Sequence, residues 1–148
     1  MDNTAAINLA KIALANAFFL SFKSHVYHWN VEGAQFLQLH EFFGDVYEDA
    51  EASVDKFAEE LRAMGEYAPR SLAELQQYLY INTTNAPVLP EEMLADLLDT
   101  NLKSIETLSK LFDALSAIGE QGFANFVADR IDQHKKQNWM IRSLLKKA

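Results

Sequence analysis

Apolar residues recur every three or four positions along almost the whole chain, and few residues interrupt that spacing. This period is typical of an α-helix with one buried face, whereas a half-buried strand would alternate every second residue. Only five glycines and three prolines occur among the 148 residues, and they cluster at a few points. Because these residues are the strongest breaks in secondary structure, the sequence predicts an all-α fold with little room for strands.

Four long helices are predicted between the breaks, over about residues 3–28, 35–64, 90–118 and 122–147. Gly65 is expected to end the second helix, because glycine commonly follows the last helical residue. Pro90 is a favoured residue of a first helical turn, so it opens the third helix. A shorter helix is expected to begin at Ser71, because Glu74 three residues later completes a capping box.

The connections between these helices are unequal. The first two helices, and likewise the last two, are joined by a few residues, so each pair is expected to be antiparallel and adjacent. The middle link, residues 66–89, is long enough to travel the length of a bundle. One long crossover among four helices is the ferritin-like connectivity, so we expect a ferritin-like four-helix bundle with a short extra helix in the crossover. Without an internal repeat or a low-complexity segment, residues 1–148 are expected to form a single domain.

The composition restricts which cellular compartment and which binding partners are to be expected. The net charge of −8 repels phosphate backbones and attracts cations, although it also fits a merely soluble surface. The absence of cysteine excludes disulfides and thiolate metal sites. Since no charged leader with an apolar run opens the sequence, we expect a cytoplasmic protein. Lys11, Asn16 and Lys23 interrupt the longest apolar stretches, so no membrane span is expected.

Four side chains have the chemistry of metal ligands, namely His28, His40, Asp55 and Glu59. Asp55 and Glu59 are four positions apart and therefore share one helix face. Taken singly, each has an ordinary explanation. The two carboxylates fit a solvated acidic face, and each histidine fits a hydrogen-bonded packing residue.

The spacing of these residues makes them more informative together. His40 and Asp55 lie on the same helix, and fifteen steps of 1.5 Å put them about 22 Å apart. One chain cannot bring both to one ion, but two antiparallel copies of the second helix at a two-fold axis can. Two imidazoles and two carboxylates suit iron and leave positions open for an oxidant. No Glu-x-x-His motif precedes any histidine, so an iron site inside one bundle is not expected.

The chain resembles the Dps family of mini-ferritins in the run HWNVEGAQF at 28–36, in Leu39-His40 and in Asp55-x-x-Ala58-Glu59. The similarity extends over nearly the whole chain. It implies a shell of twelve identical subunits that oxidises Fe(II), usually with hydrogen peroxide, and deposits ferric mineral inside. It also implies that Asp55 and Glu59 of one subunit and His28 and His40 of another bind the iron. Trp29 would lie beside this ferroxidase site, either as a sacrificial reductant or as a packing residue.

The sequence departs from the family's pattern at three points. Gly44 stands where the family often has an aspartate, which predicts a weak or empty second iron position. No positive side chain precedes Lys11, whereas DNA-binding members carry a basic N-terminal tail. Asn125 stands where an acid of the iron-entry pore is expected, leaving Glu120 and Asp129 as candidates. Two alternatives stay open: a shell protein with a degraded site, which Gly44 favours, and a DNA-protecting protein, which the charge and the missing tail disfavour.

Overall fold

Five helices make up the part of the chain that the computed structural model describes, residues 2–83 and 87–147. In chain order they are α1 (Thr4–Asn30), α2 (Phe36–Ala63), α3 (Leu72–Tyr78), α4 (Pro90–Ala117) and α5 (Gln121–Leu145). α1 packs along α2 and α4 along α5, while α1 also contacts α4 and α3. The predicted four long helices and the short crossover helix are confirmed, with ends a few residues from those predicted. Residues 84–86 of the crossover lie outside the described residues.

Local sequence explains where α2 ends and α3 begins. Gly65 follows α2 with a φ of +88°, a left-handed conformation that side chains other than glycine rarely adopt. At the start of α3, the Ser71 side chain accepts a hydrogen bond from the Glu74 N–H at 3.1 Å. The Glu74 carboxylate accepts from the Arg70 N–H at 2.8 Å rather than from Ser71 itself. In this capping box the Glu74 carboxylate therefore bonds to the N–H one residue before the N-cap residue, instead of to the N–H of the N-cap residue itself.

The buried apolar residues form two clusters, one towards each end of the bundle. The first gathers the start of α1, the end of α2, the end of α4 and the start of α5, with Phe57, Leu61, Leu111, Leu115 and Phe123 at its centre. The second gathers the opposite ends of the same helices, with Leu20, Tyr27, Leu39, Phe43, Met93 and Leu97. Each of the four long helices thus contributes to both clusters and leaves its middle turns between them.

A polar layer fills the middle of the bundle. Arg130 donates to both carboxylate oxygens of Asp49, at 2.9 and 2.8 Å. Gln137 donates to Asp49 at 3.2 Å and accepts from Asn101 at 3.2 Å, and Asn101 in turn accepts from Nδ1 of His134 at 3.0 Å. Burial lowers the pKa of His134 to about 3, so this ring is neutral. The layer is consequently a bonded network and not a set of free ligands.

A second group of buried charges anchors the crossover. Lys23 forms an ion pair with Asp96 at 3.0 Å and donates to the Asn82 carbonyl at 2.6 Å. Tyr27 donates to the same Asp96 carboxylate at 2.6 Å, and burial, together with that bond, raises the pKa of the Tyr27 phenol far above its ordinary value. Asp96, like Asp49, is therefore already bonded to a cation of its own chain.

The prediction that no segment is long and apolar enough for a membrane span is wrong for α1. This helix has the length and the mean hydropathy, 1.5, of a membrane-spanning helix. In the fold α1 packs against α2, α3 and α4, and Lys23 lies inside the bundle beside Asp96. Its apolar character fits a helix that is covered on more than one side.

Candidate metal centre

His28 and His40 meet where α1 ends and α2 begins. Their rings stack with centroids 3.7 Å apart and an angle of 15° between the planes. Nδ1 of His28 lies 2.6 Å from the His40 carbonyl oxygen, and Nδ1 of His40 lies 2.6 Å from the His28 carbonyl oxygen. Since α1 ends at Asn30, the His28 carbonyl is one of the last four of its helix and lacks a partner in the next turn. The two histidines thus close the α1–α2 hairpin with a reciprocal pair of hydrogen bonds.

These two bonds fix the tautomer of both rings. A carbonyl oxygen can only accept, so Nδ1 of each imidazole carries the proton and donates it. In the neutral ring Nε2 then holds a free lone pair. Histidines that bind metals commonly donate their other ring N–H to a carbonyl or carboxylate in this way. The Nε2 atoms of His28 and His40 therefore each have a lone pair that could bind a metal ion.

Gly44 leaves the space in which the His28 ring lies. A Cβ built on Gly44 would meet His28 Nδ1 at 3.0 Å and Cε1 at 3.1 Å. Such a contact is closer than ordinary van der Waals packing, so any side chain here would push the ring. The sequence interpretation of Gly44 as a missing ligand was incomplete, because the residue also has a steric role towards a candidate ligand.

Aromatic side chains surround the histidine pair. Phe36 stacks on His40 with centroids 5.0 Å apart. The centroid of the His25 ring lies 6.0 Å from that of His28. It lies 3.8 Å from the centroid of the Tyr47 ring and 4.2 Å from that of the Trp29 ring. A hydrogen bond from the Tyr47 phenol to Glu51 raises the pKa of Tyr47. Trp29, next to His28 in sequence, is 56 % exposed.

Asp55 and Glu59 lie on α2 as expected, on the face that four-residue spacing gives them. Both are exposed, and neither has a hydrogen bond or ion pair among the described residues. The neighbouring Lys56 is bound elsewhere, to Glu60 at 3.2 Å. The two carboxylates are therefore available, but not to the histidines of their own chain. Within residues 2–83 and 87–147, no three His, Asp or Glu side chains form a group able to hold a metal ion.

The candidate pore residues lie near and along the start of α5. Glu120 directly precedes the helix and is half-buried, whereas Asn125 and Asp129 are exposed and four positions apart. Among the described residues, neither Glu120 nor Asp129 belongs to a group of three His, Asp or Glu side chains that could hold a metal ion. Their role in iron entry stays a prediction.

Sequence reasoning missed the reciprocal hydrogen bonds and the role of Gly44. The bonds end on main-chain carbonyls, which no residue type reveals. Gly44 did carry a signal, since a glycine inside a long helix normally weakens it and so calls for a steric reason. Its position four residues after His40, on the same helix face, was the available indication.

Comparisons with known proteins agree with this architecture. Residues 7–148 match the family model of the ferritin-like domain. A low temperature-induced protein of Nostoc is 30% identical over 144 residues, which are 94% of this chain and 79% of that protein. DNA protection during starvation protein 2 of Bacillus anthracis is 25% identical, over 97% of this chain and 98% of its own. The crystal structure of a Dps protein from Bacillus brevis superposes with a TM-score of 0.93 at 23% identity, covering 99% of this chain and 100% of that one.

The ferritin-like connectivity predicted from the helix pattern and the resemblance seen in the HWNVEGAQF run are thus both confirmed. The chain belongs to the ferritin-like family and has the fold of the Dps proteins.

Proposed function

We propose that this chain is the subunit of a mini-ferritin, a homo-oligomeric shell of twelve chains that oxidises Fe(II) with hydrogen peroxide and stores ferric mineral. The observation that carries the proposal is the division of the candidate ligands into two half-sites. His28 and His40 form one half-site with free Nε2 atoms, and Asp55 and Glu59 form another with unpaired carboxylates. A two-fold axis between two chains would join each half-site to its complement and give two complete sites per dimer.

An exposed apolar face on α1 supports association of the chains. Phe18, Phe22 and Trp29 recur at helical spacing and are 37 %, 52 % and 56 % exposed. Phe18 and Phe22 also line an apolar groove of about 370 Å³ between α1 and α3, with Leu72 and Leu75 opposite. Contiguous apolar surface of this kind is typical of protein–protein contacts. Because Trp29 adjoins His28, a chain that covered this face would also close over the imidazole pair.

In the proposed reaction iron is the substrate. The Asp55 and Glu59 carboxylates would offset the charge of Fe(II) and Fe(III), and the Nε2 atoms of His28 and His40 would complete the coordination. Two Fe(II) ions give up one electron each. One hydrogen peroxide accepts both electrons and, with two protons, becomes two molecules of water. Since peroxide is reduced in a two-electron step, no hydroxyl radical is released. Trp29 would intercept oxidant that escapes this step, if it is more than a packing residue.

The inside of a single bundle is not the proposed site. Asp49 in the middle layer is held by Arg130, and Asp96 beside the crossover is held by Lys23, both within the same chain. A cation entering there would have to displace a buried positive charge from its partner, which is costly in a low-dielectric interior. The exposed and unpaired half-sites carry no such penalty.

A mixed-subunit experiment tests the shared site. One variant carries His28→Ala and His40→Ala, and the other carries Asp55→Ala and Glu59→Ala, so neither alone should oxidise Fe(II) rapidly. In a mixed dimer one site has all four ligands and the other has none. Shells reassembled from both variants should therefore regain part of the wild-type rate of ferric absorbance. No recovery, with subunit exchange verified by mass spectrometry, contradicts the shared site.

The assembly is tested separately by the mass in solution. Light scattering should give about twelve chains per particle, the number that the resemblance to the Dps family implies, and at least two chains are needed because the ligands of one chain do not meet. A stable monomer that oxidises Fe(II) at the wild-type rate would contradict the shell. A closed shell whose wild type oxidises no Fe(II) would favour the alternative, a shell protein with a degraded site.

A further inference from the structure

A small cavity lies between the four long helices, beside the polar layer. Apolar side chains such as Phe57 and Leu108 line it, and so do the polar side chains of Asn16, Ser104 and His134. Every residue of its wall is buried, with at most 9% exposed. The cavity measures about 10 Å³. A water molecule needs roughly that volume together with two to four polar partners, so there is room for one water and for nothing larger.

Asn16 supplies a hydrogen-bond donor to this cavity. Its Oδ1 accepts from the main-chain N–H of Tyr80 in the crossover at 2.9 Å. Because an N–H can only donate, this bond fixes which end of the Asn16 amide is the oxygen. The amide nitrogen, Nδ2, is buried and has no hydrogen-bond partner among the described residues. A buried donor of this kind is costly to leave unbonded, which indicates that a further group bonds to it.

His134 supplies an acceptor, and the polar layer determines this. The Asp49 carboxylate only accepts, so Gln137 bonds to it through its nitrogen at 3.2 Å. The Gln137 oxygen then accepts from the Asn101 nitrogen at 3.2 Å, and the Asn101 oxygen is left to accept from Nδ1 of His134 at 3.0 Å. Nδ1 therefore carries the proton of the neutral ring, and Nε2 has a lone pair. Within the described chain no residue donates to that lone pair.

Ser104 supplies a second acceptor. Its hydroxyl donates to the Thr100 carbonyl at 2.9 Å, so the lone pairs of its Oγ remain to accept. The polar lining thus consists of one N–H donor and two acceptors. A cation would meet the positive end of the Asn16 N–H, and an anion would meet the lone pairs of His134 and Ser104. A neutral molecule that accepts once and donates twice fits all three groups, and a water molecule does so.

We propose that this cavity is a binding site for one internal water molecule, which accepts from Asn16 and donates to His134 and Ser104. The water completes a chain of hydrogen bonds in which every donor points the same way, from the Tyr80 N–H of the crossover to the Asp49 carboxylate. Bonds in such a chain polarise and strengthen one another. The crossover is thereby joined, through the core, to the buried ion pair of the bundle. Neither the site nor its test depends on iron chemistry.

A high-resolution crystal structure of the metal-free, assembled protein tests the site directly. One ordered water should lie in the cavity, at about 2.7–3.2 Å from both Nδ2 of Asn16 and Nε2 of His134. A cavity without electron density for a water overturns the proposal. A direct hydrogen bond between Asn16 and His134 overturns it as well, because no group would then be needed between them.

Asn16→Leu should expel the water, since it removes the donor and places apolar atoms in the cavity. Asn138→Leu is the matched control. Asn138 is as buried as Asn16, at 2%, and also has an unbonded polar atom, Oδ1, but it does not line the cavity. The crystal structure of this control should keep the water. Retention of the water in Asn16→Leu, or its loss from Asn138→Leu, overturns the assignment of Asn16 as its donor.

Nitrogen-15 solid-state NMR of the His134 ring tests the same contact in the wild type, independently of whether any variant crystallises. The His134→Gln spectrum identifies the signals of this ring. Nδ1 should be protonated, and Nε2 should be unprotonated with the lowered chemical shift of a nitrogen that accepts a hydrogen bond. The Nε2 signal should move to higher frequency in Asn16→Leu and stay unchanged in Asn138→Leu. A proton on Nε2 of the wild type overturns the proposal, because the water would then have no acceptor on His134.

Discussion

The guanidinium of Arg130 and the carboxylate of Asp49 form a two-point ion pair at 2.9 and 2.8 Å, which ties α5 to α2 inside the bundle. Arg130 is 8 % exposed, so its charge has little access to water. When one partner of a buried pair is removed, the other is left as an uncompensated charge in a low-dielectric setting. This pair consequently constrains the fold more than the surface pairs do.

Asp49→Ala should therefore lower the free energy of unfolding by about 3–5 kcal/mol. Chemical denaturation of the assembled protein at one fixed concentration measures it. The control is Lys103→Ala, which breaks the exposed pair with Asp99 at 3.3 Å and should cost at most about 1 kcal/mol. Similar losses in the two variants would mean that the Asp49 pair contributes no more than a surface contact.

Acidification should weaken the fold through His134. The pKa of this buried ring is lowered to about 3 from an ordinary 6.5, so between these values the unfolded chain binds a proton that the folded chain does not. The free energy of unfolding is therefore not reduced by His134 above pH 6.5. It falls by up to about 1.4 kcal/mol for each pH unit as the pH drops from 6.5 towards 3. Against the wild type, His134→Gln should show a shallower fall of melting temperature between pH 6.5 and 4.5. Parallel profiles would contradict this assignment.

Single substitutions at the proposed site should separate chemistry from folding. His40→Ala and Glu59→Ala should each abolish rapid Fe(II) oxidation, because each removes a proposed ligand that lies outside the two apolar clusters. Circular dichroism should show intact helices in both. Glu48→Ala, at an exposed glutamate of the same helix, is the control and should oxidise Fe(II) at the wild-type rate. Wild-type rates in His40→Ala would refute the imidazole half-site.

DNA should not be retained at physiological salt. Duplex binding depends on several cationic side chains at phosphates and falls steeply as salt rises. The 148 residues carry a net charge of −8, which repels the phosphate backbone. A gel shift that persists at about 0.15 M salt would contradict this expectation. Lys135, Lys136, Lys146 and Lys147 would then be the first positions to replace.

Periodicity was sufficient to predict the long helices because each has a continuous apolar face against its neighbours. It failed in the middle of the bundle, where Asn101, Arg130 and Gln137 occupy core positions. Their partners lie between 33 and 88 positions away in the chain, so no local pattern indicates which polar groups will meet. An interrupted apolar stripe looks the same whether the polar residue is solvated or bonded inside.

The candidate site shows the same limit. Spacing and resemblance selected His28, His40, Asp55 and Glu59, and the helix rise predicted that one chain would not bring all four together. The bond between a histidine ring and a main-chain carbonyl depends on how α1 turns into α2, which residue types alone do not specify. The sequence analysis interpreted Gly44 only as a missing metal ligand. Its contact with the His28 ring can be recognised only once the position of that ring is known.

Along α2 about 22 Å separates the level of His40 from that of Asp55, so an ion held by both half-sites has to be held by two chains. On the proposed arrangement, the ion and the neighbouring chain strengthen each other's binding by the same factor, because coupling between two binding events is reciprocal. Plentiful Fe(II) would then favour closed particles, and iron starvation would loosen them. The particle would in this way report the iron supply through its own state of assembly, without a separate sensor.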